Sequence, residues 1–283
     1  MALSKKFKEL KKVFVRRIAA VADFHTMSRY AACPPGEYKT SEGNILKPNT
    51  GQVQLYNSFK NFCKVCDDWE VDTVLLAGDL VHGQNFKERG IGLMTTKTNE
   101  QIKANTRILT PLIKDRSSHW VSGSGYHNSL PGMSVEEEIC DRFKERGYDA
   151  NWYGTVANLK VEPFNKIINL SHGGGKAMYY RETISAREIV YGKVGEVNNK
   201  LPKIDMYVHA HWHWYNYMHQ ANVHHLQLPC WMAYEPITLY TQAYTRYQPD
   251  IGGCLIMFDE EGRITVWHYL YDLPHISDFV KKI

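Results

Sequence analysis

Tyr207-Val208-His209-Ala210-His211-Trp212-His213-Trp214 places three histidines at alternate positions. The residues around them are β-branched, aromatic or small, which suits a strand running out into a loop. Side chains two apart on a strand point the same way. His209, His211 and His213 are therefore expected on one side, until the strand ends and the last of them turns. Neutral imidazole is the commonest metal ligand near physiological pH. Such a row is either half of a metal site or the polar face of an edge strand. Four segments upstream favour the metal.

Each of those segments is an apolar run that stops at a potential ligand. Ile18-Ala19-Ala20-Val21-Ala22 suits a buried strand and ends at Asp23-Phe24-His25. Asp72-Thr73-Val74-Leu75-Leu76-Ala77 ends at Gly78-Asp79-Leu80-Val81-His82. His119-Trp120-Val121-Ser122 runs into Gly123-Ser124-Gly125-Tyr126-His127-Asn128. Lys166-Ile167-Ile168-Asn169-Leu170 ends at Ser171-His172-Gly173-Gly174-Gly175, whose glycines suit either an anion-binding backbone or a flexible connector. Ligands in open α/β sheets gather at such strand ends.

The intervening stretches read as helices: Gln52 to Trp69, Thr98 to Arg116, Val135 to about Arg146, and Glu182 to Asn198. Thr26 to Thr50 is rich in Pro, Gly, Ser and Asn and reads as a long loop. After His213, short β-type runs cover 222–228, 238–244, 253–258 and 264–271, with Asp259-Glu260-Glu261-Gly262 as a hairpin turn. The expected architecture is α/β, with two sheets packed face to face and helices outside.

Composition limits the classes. The chain has 283 residues, 43% hydrophobic and 12% aromatic, enough for a sizeable core. A net charge of +4 suits a polyanionic partner without demanding one. The basic stretch from Lys5 to Arg17 reads as a solvated face ahead of the first strand, with phosphate contact as the lesser alternative. No run approaches the roughly 20 apolar residues of a membrane span, and no secretory signal is evident. The six cysteines are scattered, so free thiols in a reducing, cytoplasmic setting are expected. Cys63 and Cys66 form a lone CxxC inside a helical pattern and read as core residues.

Collected, the strand ends offer Asp23, His25, Asp79, His127, His172, His211 and His213. Mixed carboxylate and imidazole donors suit transition metals better than Mg or Ca alone. A carboxylate between two groups of histidines can bridge two ions about 3.5–4 Å apart, the arrangement that serves phosphoryl displacement.

This set and its order resemble the calcineurin-like metallophosphoesterase family, whose pattern is DxH, GDxx, GNH, a lone H before glycine, and GHxH. Here these blocks read Asp23-Phe24-His25, Gly78-Asp79-Leu80-Val81, an altered third block, His172-Gly173, and Ala210-His211-Trp212-His213. The resemblance runs from about Ile18 to Tyr215. It implies a two-sheet β-sandwich flanked by helices in αββα layers. It also implies one domain over residues 1–283, with a basic extension at 1–17 and an inserted loop at 26–50. The cofactor implied is a pair of divalent transition-metal ions, Mn before Fe, Zn or Ni. By the same resemblance, Asp23, His25 and His213 hold the first ion, Asp79 bridges, and His172 and His211 hold the second. His127 stabilises the phosphate and protonates the leaving oxygen. A hydroxide held between the ions attacks phosphorus.

Two departures stand out. The third block is Gly123-Ser124-Gly125-Tyr126-His127, so the asparagine expected on the second ion is missing, with Ser124, Asn128 or water to fill its place. Similar forms look like those of phage and prophage members. Ala210 replaces a glycine. His82, three residues after Asp79, matches a catalytic histidine of the repair-exonuclease branch, although a surface histidine is the plain alternative. His209 reads as a core or supporting histidine. The expected activity is metal-dependent phosphodiester hydrolysis, with DNA or RNA as substrate. A phosphatase or small-nucleotide phosphodiesterase is the first alternative, and a catalytically weak metal-containing binding module the second.

Overall fold

Successive residues of the Ile18–Ala22 run face opposite ways. Ala19 and Val21 join a core built with helices, whereas Ile18, Ala20 and Ala22 join a core built with a second sheet. Burial on both faces is what a continuous apolar strand requires. The structure is a computed structural model that describes residues 5–84, 90–128, 132–175, 180–233 and 248–272.

This strand, β1 (Phe14–Val21), lies inside a six-stranded sheet. On one side come β4 (Thr73–Leu76), β5 (Ser117–Trp120) and β6 (Ala150–Trp152), all parallel to it in sequence order. On the other side come β12 (Ile251–Asp259) and β13 (Ile264–Tyr271), which pair antiparallel. The second sheet has the order β10-β11-β9-β8-β7, from Asn216–Gln220, Val223–Gln227, Met206–His209, Lys166–Ser171 and Val156–Val161. Its central strands β8, β9 and β11 run parallel.

The layers follow from the alternation. Val74 and Leu76 of β4 and Trp120 of β5 pack on α2 (Thr50–Asp68), α3 (Thr98–Ile113) and α4 (Val135–Glu145) through Phe59, Ile108 and Phe143, among others. Ile18 and Leu75 meet Ile168, Leu170, Met206 and Val208 between the sheets. On the far side, Ile189 of α5 (Arg181–Val197) covers Tyr207 and Val223. Helix, sheet, sheet and helix form the expected α/β sandwich. Asn49 starts α2 with a capping box: its side chain accepts from Gln52 N, and Gln52 returns a bond to its backbone.

Two expectations change, and a third is not tested. The histidine strand stops at His209, because the backbone turns left-handed at His211 and His213. The three rings therefore do not share a strand face. The 26–50 loop contains a small hairpin, β2 (Tyr38–Lys39) with β3 (Ile45–Leu46), tied to α3 where Ser41 donates to Glu100. The run at 238–244 lies outside the described residues.

The basic stretch contains α1 (Lys5–Lys12), which buries no residue. Lys11 and Arg17 pair with Glu70, and Arg16 with Asp72. Its cations sit at the start of β1, the end of the strand opposite the histidines. The Cys63 and Cys66 thiols are free and buried in the helix-side core, and burial pushes Cys63 up to about 12. No described helix is long and apolar enough to cross a membrane.

Candidate metal centre

The C-terminal ends of β1, β4, β5, β8 and β9 deliver eight side chains to one place. The β1 and β4 exits stay paired beyond the strands: Asp23 N donates to Gly78 O at 3.1 Å and His25 N to Asp79 O at 3.0 Å. Asp23, His25, Asp79, His211 and His213 all have φ between 43° and 82°. Left-handed backbone costs an L-residue roughly 1–2 kcal/mol, and such strain clusters where function holds it. Here it turns each side chain inward from the end of its strand.

Two groups of donors result. Asp23, His25 and His213 form one, and Asp79, His172 and His211 the other. In the first, His25 Nε2 lies 2.9 Å from His213 Nε2. Asp23 Oδ1 lies 3.6 Å from the first nitrogen and 3.4 Å from the second. In the second group, His172 Nε2 lies 2.9 Å from Asp79 Oδ2 and 3.3 Å from His211 Nδ1. Ligands about 2.0–2.2 Å from a common ion, at octahedral to tetrahedral angles, lie roughly 2.8–3.6 Å apart. Both groups fit that spacing.

A further observation favours a cation. Asp23 Oδ1 is buried with no hydrogen bond from a described residue, and it also reaches within 3.9 Å of His172 in the second group. An unpaired buried carboxylate oxygen is costly. A divalent ion would satisfy it.

The ring nitrogens are prepared. His172 Nδ1 lies 2.6 Å from Ala77 O, so it carries a proton and turns Nε2 toward Asp79. Asp23 Oδ2 accepts from His211 N at 3.0 Å. Burial works to raise the Asp23 carboxyl, but His213 and His25 beside it hold it well below the usual range. Asp79 is also held low, since His172, His127 and His25 outweigh its burial. His172 pays for burial yet is raised to about 10 by Asp79 and Asp23. His25 moves the other way, to about 4, through burial and the neighbouring His127.

His127 and His82 complete a third group with His25. The His25 and His127 ring centres are 4.5 Å apart, and His82 lies within 5.4 Å of both. His127 Nδ1 lies 2.6 Å from His82 O, which assigns it the proton. His127 Nε2 then faces Asp79 Oδ2 at 3.9 Å. His82 is buried, so the surface reading of it is set aside.

Ser124 stands where the family pattern has asparagine. Its backbone N–H donates to Asp79 Oδ1 at 2.7 Å, and its hydroxyl lies 3.1–3.2 Å from both carboxylate oxygens. Asn128 is turned away, donating to Met133 O. Gly123 permits this approach, because a Cβ there would collide with Asp79.

Three supporting residues escape sequence reasoning. Gln101 brackets Gly83 with two hydrogen bonds of 2.8 Å. Asn105 donates to Thr26 and to Leu80 O, and Glu136 accepts from Leu80 N. All three are buried on helices. The available signal was polar residues at i and i+4, Gln101 and Asn105, beside the apolar stripe of α3.

His209 turns into the second sheet, 3.2 Å from His225. Burial lowers His225 well below its ordinary value. The folded form therefore stays neutral at pH values where the unfolded chain takes up a proton. Stability conferred by the neutral ring is present above about pH 6.5 and is lost as pH falls below it. His172 and His213, both raised, are protonated in both states below about pH 5.5 and add little slope there. Urea melts of the chelated protein from pH 5.5 to 4.5 should show a decline of about 1.4 kcal/mol per pH unit for each such ring. A His225→Gln variant should lose that component; an unchanged slope would contradict the assignment.

No family model matches the chain, and no curated protein is significantly similar to it. Among solved structures, Vps29 from Entamoeba histolytica complexed with zinc aligns at 15% identity and TM-score 0.42, over 90% of this chain and 99% of its own. A structure described as a novel archaeal phosphodiesterase aligns at 11% identity and TM-score 0.44, over 89% and 99%. Vps29 from Cryptosporidium parvum aligns at 12% identity and TM-score 0.44, over 91% and 98%. At these values the likeness carries nothing about function, which has to be read from the residues at the strand ends.

Proposed function

We propose that this chain is a calcineurin-like metallophosphoesterase that hydrolyses phosphodiesters, with nucleic acid as its substrate. One observation carries the proposal: two groups of one carboxylate and two imidazoles, each at metal-ligand spacing, with Asp23 Oδ1 orphaned between them. In this reading Asp23, His25 and His213 hold one divalent ion, His172 and His211 the other, and Asp79 lies between. Manganese is the first choice of metal, given the mixed N and O donors.

Bound divalent ions supply Lewis-acid charge at the phosphoryl oxygens and acidify water. The chain's own residues do the rest. Ser124 fixes the rotamer of Asp79, and the Ala77 carbonyl fixes the His172 tautomer. The His82 carbonyl holds the His127 Nδ1 proton, leaving Nε2 to carry a proton to the leaving oxygen. The His82 ring stands beside His25 and His127, which supports a role for it at the scissile phosphate and a kinship with repair exonucleases.

Manganese-loaded protein should hydrolyse bis-p-nitrophenyl phosphate faster than the monoester. It should also degrade single-stranded DNA in preference to cyclic nucleotides. A preference for the monoester would move the assignment to a phosphatase. Inertness toward all of these, with two ions bound per chain by calorimetry, would leave only a metal-containing binding module.

A further inference from the structure

Beside the Asp79 group lies a cavity of about 480 Å³. His172 and Ser124 belong both to its wall and to the site, so a group esterified to a phosphate at the ligands would enter it directly. The rest of the wall includes Thr155, Ser171, Glu188 and Trp212. Among the described residues, no lysine or arginine lines it. A pocket for the next phosphate of a polynucleotide would need cations, and the described wall offers the carboxylate of Glu188 instead.

The wall instead suits an uncharged group rich in hydroxyls. Glu188 Oε1 is engaged by Arg187, which holds the carboxylate in place. A positioned carboxylate is the usual partner of a ribose hydroxyl. The Thr155 and Ser171 hydroxyls bond no described residue. Trp212 is more than nine-tenths buried, yet its indole N–H has no acceptor among the described residues. Gly173, with φ 86°, brings the backbone against the Trp212 ring and keeps this corner thin. The volume lies within the range of small-molecule sites.

We infer that this cavity receives a single nucleoside, bound through its ribose hydroxyls, whose phosphate is the one hydrolysed. The inference rests on the phosphodiesterase reading and narrows it. The substrate presents a terminal nucleoside, either in a dinucleotide or at the end of a strand. The interior of a polynucleotide, with a phosphate on both sides of every sugar, is excluded.

The test compares uridine 5′-(p-nitrophenyl phosphate) with methyl p-nitrophenyl phosphate on the manganese-loaded protein. The ratio of their kcat/KM values should favour the nucleoside ester at least tenfold. Thr155→Trp, an exposed position whose larger side chain fills the cavity, and Glu188→Gln should each bring that ratio down by most of this factor. Linear oligoribonucleotides and a dinucleotide should both be cut, their relative rates naming the source of the terminal nucleoside. A circular strand should resist.

Uridine binding, followed by NMR on the metal-free protein, should disappear in Thr155→Trp, and this reads the cavity without turnover. Hydrolysis of both esters at a ratio near one, or rapid cutting of the circle, overturns the nucleoside pocket and leaves the phosphodiesterase standing. Uridine binding with no hydrolysis of either ester keeps the pocket and overturns the phosphodiesterase.

Discussion

Asp79→Asn is expected to lower phosphodiester turnover on the order of a thousandfold while the protein stays folded. The asparagine keeps the shape and can still accept from Ser124 N, so the β4 loop has no steric reason to move. What it loses is the charge that stands 2.9 Å from His172 and raises that ring to about 10. A centre that has lost one of two carboxylates gives up several kcal/mol of charge stabilisation, and each 1.36 kcal/mol is tenfold in rate. The check is a pair of measurements on the same sample: kcat with saturating manganese, and metal stoichiometry by calorimetry. Full activity with normal metal content would remove Asp79 from the centre.

His127→Ala should depend on the leaving group. A p-nitrophenolate ion departs without help, so its ester should lose little. An alkoxide, such as the sugar oxygen of a nucleic acid, needs a proton as it leaves, and general-acid catalysis contributes about 10²–10⁴-fold. The variant should therefore cut a dinucleotide at least a hundredfold more slowly, with a much smaller effect on bis-p-nitrophenyl phosphate. Added imidazole should restore part of the lost rate. Equal losses on both esters would mean that His127 holds the phosphate and donates no proton. The mechanism behind this prediction is geometric: His82 O engages Nδ1, leaving Nε2 pointed at the Asp79 side of the site.

The sandwich was legible because buried parallel strands write themselves as short apolar runs, and β1, β4 and β8 each stop at a ligand-type residue. The periodicity of α2, α3, α4 and α5 placed the helices within a few residues. The histidine strand is shorter than its alternation suggests. Alternation in sequence is the same for a strand and for a loop that reverses at every second residue, and only the positive φ at His211 and His213 separates them. The part played by Ser124 was equally hidden, since what it touches depends on how closely Gly123 lets β5 approach Asp79. The roles of Gln101, Asn105 and Glu136 are hidden in the sequence for a similar reason. A buried polar residue on a helix looks like surface until the loop that it secures is seen against it.

The left-handed main chain at Asp23, His25, Asp79, His211 and His213 has a consequence for descent. The cradle is written into the backbone as well as into the side chains. A lineage that abandoned catalysis would not drift freely at these five places. Valine, isoleucine and threonine resist this conformation most, while glycine and asparagine accept it readily. Retired descendants should therefore carry glycine or asparagine where the acids and imidazoles stood, and that residue choice would mark a fossil of the centre after its chemistry had gone.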